Sequence, residues 1–356
     1  MNVGIIGSGQ LGRMLIMEGR KLPFNYYICD AEMGPAARIS DGYFPVERYR
    51  EFVDKCDVVT FEFEHVDERP LLYAEEQGKL LPGMNAIELK RSRSREKRFF
   101  TNFHLPTAPY VISNFEELNK ALDSFDHSVL KKSSGGYDGK GIWFADRPHL
   151  PEHLPPDEYV VEEKVDFDYE ASIIACRGID GEIQCHAPSF NLNKSGILIY
   201  NSAPCADAGM KEIAVKLLES LDYVGVMGIE FFVKDGKAMI NEFAPRVHNT
   251  GHHTLHGSSI SQFEHHIRAI TGLPLSDARL LEPSGIVNIL GIELSAEMLN
   301  SILKLGGTHI YWYGKEVRHR RKVGHVNVNA TTEGELSYKI EEVMNLLYSS
   351  NVEAFL

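Results

Sequence analysis

The stretch from Val226 to Phe243 limits the fold more than any other part of the chain. Val226-Met227-Gly228-Ile229-Glu230-Phe231-Phe232-Val233-Lys234 and Lys237-Ala238-Met239-Ile240-Asn241-Glu242-Phe243 are two apolar runs joined by Asp235-Gly236. Asp-Gly between such runs is a hairpin signal. Each run carries one acid. A carboxylate inside an apolar strand loses its hydration, so something must neutralise it. Two such acids on neighbouring strands predict a hard cation, Mg2+ with Mn2+ as the alternative. Mg2+ takes one or two protein carboxylates and completes its shell with substrate phosphates. Register decides whether this works. A two-residue loop at Asp235-Gly236 pairs Glu230 with Asn241 and turns Glu242 to the other face. The sequence therefore predicts an odd-length loop that pairs Glu230 with Glu242, both as metal ligands.

The chain has 356 residues, which predicts two or three domains. It is 43% hydrophobic and 24% charged, so it can build more than one core and is not a disordered chain. A net charge of −13 argues against a protein that coats nucleic acid. It leaves room for a local basic pocket for one small phosphorylated ligand. The five cysteines are scattered and form no C-x-x-C pair, which predicts a reducing, cytoplasmic setting rather than disulfides or a zinc site. The first residues lack a basic segment and do not read as a signal peptide. No apolar run approaches the ~20 residues of a membrane helix. The expected partners are small molecules, with neither nucleic acid nor membrane among them.

Near the start, Val3 to Ile6 reads as a buried strand, followed by Gly7-Ser8-Gly9-Gln10-Leu11-Gly12 and a helical apolar pattern. This is G-x-G-x-x-G in the strand–turn–helix setting that gives the motif meaning. A second strand, Tyr26 to Cys29, ends in Asp30, where a dinucleotide enzyme places its ribose-binding acid. An NAD-dependent oxidoreductase is one reading of this segment. The other is structural: glycines let a strand turn tightly into a closely packed helix. Asp57 to His65 reads as a third strand, with Glu62 and Glu64 on one face at its C-terminal end.

Lys90 to Arg98 is a basic run, read mostly as a solvated helix face, with Lys97 inside the helix. A strand ending at Lys131 then enters Ser133-Ser134-Gly135-Gly136-Tyr137-Asp138-Gly139-Lys140-Gly141. Glycines let backbone N–H groups close on phosphate oxygens, and the flanking lysines supply charge, so this loop predicts polyphosphate binding without being a Walker A loop. Tyr159 to Val165 reads as a strand leading into a hinge. Glu162 and the backbone near Val165 suit an adenine edge, and Glu170 suits a ribose hydroxyl. After the hairpin come Arg246, His248, Asn249, His252 and His253. His252, His253, His256, His265 and His266 follow no structural zinc spacing. The first of these histidines are expected at substrate and the later ones on a helix surface.

Taken together, Gly135 to Gly141 and Asn241-Glu242-Phe243-Ala244-Pro245-Arg246-Val247-His248-Asn249-Thr250-Gly251-His252 resemble the ATP-grasp superfamily. Within it, the chain resembles the N5-carboxyaminoimidazole ribonucleotide synthase family. Gly9 to Met14, Thr60 to Glu64, Ser259 to Glu264 and Trp312 to His325 extend the likeness along nearly the whole chain, in the family's order. Thr250 stands where the family often has Ser, Lys140 where it often has Arg, and His319-Arg320 where Pro-Gly is usual. The resemblance implies an α/β fold: a Rossmann-like first domain (1–90) that uses no NAD, a small lid subdomain (91–165), a large ATP-grasp subdomain (166–295) and a β-rich C-terminal piece (296–356). It implies a ligase that uses ATP and bicarbonate to carboxylate 5-aminoimidazole ribonucleotide in purine biosynthesis, working as a homodimer. A related ATP-grasp ligase acting on another ribonucleotide is the near alternative. Lys97, Lys131, Gly135 and Gly136 would grip the nucleotide. Gln10, Glu62, Tyr137, Asp138 and Lys140 would face the ribonucleotide, with Arg246, His248 and Asn249 at its reacting end. Lys315 and Arg321 would bind its phosphate or carboxyphosphate. Asp138, assisted by Lys315, would handle the proton.

Overall fold

The computed structural model describes residues 1–135, 141–147 and 149–349. Three sheets follow one another along the chain. The first holds β1 (Asn2–Ile6), β2 (Asn25–Asp30), β3 (Gly42–Pro45) and β4 (Val58–Phe61) in the order β3-β2-β1-β4. All its pairings are parallel. Buried on both faces, such strands read as short continuous apolar runs. The helix Gln10–Gly19 leaves directly from the glycine turn after β1.

The second sheet holds β5 (Tyr110–Asn114), β6 (His127–Lys132), β7 (Ile142–Asp146) and β8 (Glu158–Glu163), ordered β5-β8-β6-β7 and antiparallel throughout. A small core with Leu118, Leu122, Leu130, Tyr159 and Val161 lies beneath it.

The third sheet is the largest. It contains β9 (Tyr169–Arg177), β10 (Ile183–Cys185), β11 (Ser189–Lys194), β12 (Ile197–Ala203), β13 (Gly225–Lys234), β14 (Lys237–Ala244), β15 (Ser284–Leu290), β16 (Thr308–Trp312) and β17 (Lys322–Asn329). Their order is β14-β13-β9-β11-β12-β15-β17-β16, with β10 beside β9. The C-terminal strands thus continue the sheet that carries the acidic hairpin. The helix Met210–Ser220 packs on it through Met210, Ala214, Leu217 and Leu218. The helix Glu333–Tyr348 covers the C-terminal strands through Leu336, Ile340, Val343 and Leu347.

The acidic hairpin shows how its register is set. Lys234 pairs with Lys237, so the loop is the two-residue Asp235-Gly236 turn. Both residues have positive φ, 50° and 71°, as a type I′ turn requires. The expectation of an odd-length loop was wrong; the expected pairing of Glu230 with Glu242 is present. A bulge reconciles the two. Phe231 pairs with Ile240 but Glu230 pairs with Glu242, leaving Asn241 as the extra residue. The turn obeys its own chemistry, and one inserted residue flips Glu242 onto the face of Glu230.

The later histidines are not on a surface. His265 and His266 lie in the helix Gln262–Ile270 and are fully buried where the first and third sheets meet. The Val226 N–H donates to His266 Nδ1 at 3.1 Å, so Nε2 carries the proton and donates to Thr60 Oγ1 at 2.8 Å. His186 Nε2 lies 3.1 Å from His265 Nδ1, and His325 Nδ1 lies 2.7 Å from Tyr313 Oη. Burial pushes His266 and His325 down to about 3 and His253 to about 4, and holds His186 and His252 well below the ordinary range. These rings are neutral when folded but bind protons when unfolded, so stability is lost as pH falls below the unfolded value of about 6.5. The carboxyls of buried Glu62 and Glu96 and of half-buried Glu170 and Glu230, whose values are raised, act in the opposite sense but are fewer. Calorimetry between pH 7.5 and 5.5 is expected to show a melting temperature that falls steadily; a rise toward pH 5.5 would contradict this account.

Candidate active site

One cavity of about 820 Å³ lies between the second and third sheets and is closed by the helices that follow the first. Its acidic wall is the hairpin. Ser172 on β9 pairs with Glu230, so Glu170, two residues earlier, shares the face of Glu230 and Glu242. Asn193 Nδ2 holds Glu170 Oε2 at 2.5 Å. Burial, Glu242 and Glu170 push the Glu230 carboxyl up to about 8. Glu242 is drawn down to about 2, chiefly by Lys90, whose Nζ lies 2.7 Å from its Oε2. The same ammonium lies 3.6 Å from the buried Glu96. Glu230 and Glu242 face the cavity from paired positions, and without a cation the pair settles its repulsion by pushing the Glu230 carboxyl up while Lys90 holds Glu242 down. That arrangement fits a hard divalent cation held by Glu230 and Glu242.

The opposite wall is basic. Lys131, near the end of β6, reaches Glu162 Oε2 at 3.0 Å and Asn241 Oδ1 at 3.1 Å. The bulge therefore aims Asn241 and Glu242 into the same space. Burial alone would raise Glu162, but Lys131 and Lys97 more than offset it and hold the carboxyl below its usual range. Lys97 sits deeper. Its Nζ donates to Thr107 Oγ1 at 2.5 Å, lies 3.3 Å from Glu162 Oε1, and does not line the cavity. Gly135, Val165 and Glu170 line the cavity, and so do Phe144, Phe167 and Phe232. The rings of Phe167 and Phe232 stack at 4.7 Å with their planes 10° apart, which gives an apolar shelf suited to a flat aromatic base.

At the far end, Arg246 Nε donates to Glu64 Oε2 at 2.6 Å, and its guanidinium lies 5.4 Å from the centre of the Phe63 ring. Burial raises Glu64, yet Arg246 overrides this and brings it down to about 2. His248 Nε2 lies 3.3 Å from Glu230 Oε1, and its Nδ1 lies 2.9 Å from Thr250 Oγ1. Asn249 also lines the cavity, and its buried Oδ1 has no hydrogen-bond partner among the described residues.

The other predicted residues lie elsewhere. β4 ends at Phe61, so Glu62 and Glu64 lie beyond the strand rather than on one face of it, and both are buried. Glu62 turns into the glycine loop, where its carboxylate accepts from the Gly9 and Gly12 N–H groups, the latter at 2.7 Å. A Cβ on Gly7 or Gly9 would strike it, at 2.5 Å in each case. Asp30 Oδ2 accepts from the Ser8 N–H at 2.7 Å. The anion-binding turn is thus filled by the protein's own carboxylates, which removes the NAD reading. Lys315 Nζ donates to Gln10 Oε1, beside this turn and apart from the cavity lining. Arg321 Nη1 donates to the Glu316 carbonyl at 3.3 Å and also stays outside it. Gly136, Tyr137, Asp138 and Lys140 lie outside the described residues.

The basic run does not form the expected solvated face. Lys90, Arg91 and Arg93 line the cavity, and Lys97 and Glu96 are almost fully buried. The available signal was Glu96-Lys97 inside a helix with Phe100 as its core residue: the turn facing the core also carries the charges.

Residues 1–91 match the ribonucleotide synthetase preATP-grasp domain, 98–263 the ATP-grasp domain, and 284–339 the phosphoribosylaminoimidazole carboxylase C-terminal domain. The N5-carboxyaminoimidazole ribonucleotide synthase of Saccharolobus solfataricus is 49% identical over 99% of this chain and 97% of its own length. The chain belongs to the N5-carboxyaminoimidazole ribonucleotide synthase family. Members of this family are ATP-dependent ligases. Solved structures agree. The phosphoribosylaminoimidazole carboxylase ATPase subunit of Aquifex aeolicus superposes with a TM-score of 0.86 at 42% identity, covering 98% of this chain and all (100%) of that one. The N5-carboxyaminoimidazole synthase of Aspergillus clavatus, solved with ADP and 5-aminoimidazole ribonucleotide, gives 0.88 at 28% identity, covering 97% of this chain and 98% of that one.

Two outcomes test this arrangement. Glu64→Gln leaves the Arg246 charge buried without its counter-charge, which costs about 3–5 kcal/mol. Urea unfolding is expected to show a loss of that order, and unchanged stability would mean that the pair carries little. Fluorescence titration with NADH is expected to show no saturable binding, whereas saturable binding would mean that Glu62 vacates the glycine turn.

Proposed function

We propose that this cavity carboxylates 5-aminoimidazole ribonucleotide at the expense of ATP and bicarbonate, releasing N5-carboxyaminoimidazole ribonucleotide, ADP and phosphate. The observation that carries the reading is the paired Glu230 and Glu242, facing Lys131 across a cavity with an aromatic shelf at one side and Arg246, His248 and Asn249 at its end. The adenine lies against Phe167 and Phe232 near Val165, with Glu170 at the ribose. Lys131 and the backbone at Gly135 meet the polyphosphate. Glu230 and Glu242 would hold Mg2+, or Mn2+ in its place, and the chemistry that ion would supply is neutralisation of phosphate charge.

In the reaction, a bicarbonate oxygen attacks the γ-phosphorus and ADP leaves. The product, carboxyphosphate, is a mixed anhydride; its activated carbon passes to the exocyclic amine of the ribonucleotide and phosphate departs. Arg246 is placed to orient the anion. It is held rigid by Glu64, so its geometry does not have to be assembled during the reaction. His248, pushed down to about 3 chiefly by burial, stays neutral, so it serves as a hydrogen-bonding group rather than a fixed charge. Asp138 takes the amine proton, with Lys315 assisting. Tyr137, Asp138 and Lys140 act with Gln10, Glu62, Lys315 and Arg321 on the ribonucleotide side, and the glycine loop excludes water from the labile anhydride. The enzyme acts as a homodimer in the cytoplasm. The five free cysteines and the absence, among the described residues, of a helix long and apolar enough to cross a membrane are compatible with that setting.

Phosphate release from Mg-ATP and bicarbonate is expected to be strongly stimulated by freshly made 5-aminoimidazole ribonucleotide. Glu242→Ala and Glu230→Ala are each expected to lower the stimulated rate by about 100-fold or more. Release that ignores the ribonucleotide would overturn the substrate and direct attention to other acceptors. Full activity in Glu242→Ala would overturn the metal assignment.

A further inference from the structure

The connection between β16 and β17 carries Arg320, a residue with an unusual backbone. Arg320 has φ +64°, in the left-handed region that a side chain makes costly and that glycine adopts freely. The turn is held there by its surroundings. The Arg321 N–H donates to the Arg318 carbonyl at 3.0 Å, and the Gly291 N–H donates to the Arg321 carbonyl at 2.9 Å. A Cβ on Gly291 would come within 3.0 Å of the Arg318 carbonyl oxygen and 3.3 Å of the Arg320 nitrogen, so the turn is packed against that glycine. Glycine at 320 would satisfy the same backbone at lower cost. An arginine kept in such a conformation calls for a use.

Its side chain supplies one. Arg320 lines the same cavity as Lys131, Glu230 and Glu242. Its Nη2 donates to the Ser195 carbonyl at 3.1 Å, in the two-residue turn between β11 and β12. Among the described residues no carboxylate pairs with it. One hydrogen bond leaves most of the guanidinium's donors available, and their planar fork matches phosphate oxygens. Lys322, two residues further on, lines the same cavity.

We propose that Arg320 is a nucleotide-binding residue: anchored on the Ser195 carbonyl, its guanidinium contacts the polyphosphate of the bound nucleotide from the third sheet, while Lys131 approaches from the second. The inference rests on reading the cavity as the nucleotide site.

The test uses the intact protein and Arg320→Gly, Arg320→Lys and wild type in parallel. Melting temperature without nucleotide, ADP affinity by calorimetry, and KM for Mg-ATP and for 5-aminoimidazole ribonucleotide are measured. Arg320→Gly is expected to melt higher than wild type, because the backbone strain is gone, and to bind ADP about tenfold more weakly. The loss should fall on KM for Mg-ATP rather than on kcat, with KM for the ribonucleotide unmoved. Arg320→Lys should recover part of the ADP affinity. Unchanged ADP affinity in Arg320→Gly overturns the proposal and leaves Arg320 as a latch on the Ser195 turn. So does weakened binding that comes with a lower melting temperature and is not recovered by lysine. Wild-type protein that binds no ADP would sink the nucleotide reading of the cavity itself, and the proposal with it.

Discussion

Glu230 and Glu242 face each other across β13 and β14, and much of the site follows from the cost of bringing those charges together. Two carboxylates in a half-enclosed wall repel each other and lose hydration. The protein answers with Lys90, set between Glu242 and Glu96, and with an open face toward the cavity where a cation and phosphates can complete the balance. The pairing itself depends on one residue. The Asp235-Gly236 turn would by itself offset the two acids, and the bulge at Asn241 brings them level. Bulges near reacting centres re-aim side chains, and this one also turns Asn241 toward Lys131.

The same economy of charge appears in the first sheet. A glycine turn at the head of a helix attracts anions through its free N–H groups and the helix dipole. Here the anion is internal: Glu62 occupies the turn, and Asp30 holds the Ser8 N–H beside it. The glycines remain necessary because Glu62 lies where their side chains would go. A motif usually associated with a cofactor has become a fastening between the first sheet and its helix. The adjacent Glu64 extends in another direction and fixes Arg246 at the end of the cavity.

Much of this was legible along the chain. The glycine turn, the acidic hairpin, the glycine-rich loop after Lys131 and the family likeness depend on local chemistry or on order in sequence. What went astray concerned which face a residue presents and what lies across from it. Lys90, Glu96 and Lys97 looked like the polar face of a helix because a helical pattern does not say what packs on each side. His265 and His266 look like surface residues for the same reason, although the helix Gln262–Ile270 is packed between the helix Gln10–Gly19 and the strands β9 and β13.

The elements, the turn at Asp235-Gly236, the two acids that need neutralising and the family likeness can all be read along the chain. These depend on periodicity, turn chemistry and residue type, all of which act over a few neighbouring positions. The bulge that levels Glu230 with Glu242, the filling of the glycine turn by Glu62, the placing of Lys90 between two acids and the reach of Arg320 into the cavity arise in the folded chain alone. The Glu62–Gly12 and Lys90–Glu242 contacts join residues 50 and 152 positions apart, and the others rest on a register and a backbone torsion set by whole sheets. Local propensity carries no information about such contacts, because their energies exist only once the chain has brought the partners together.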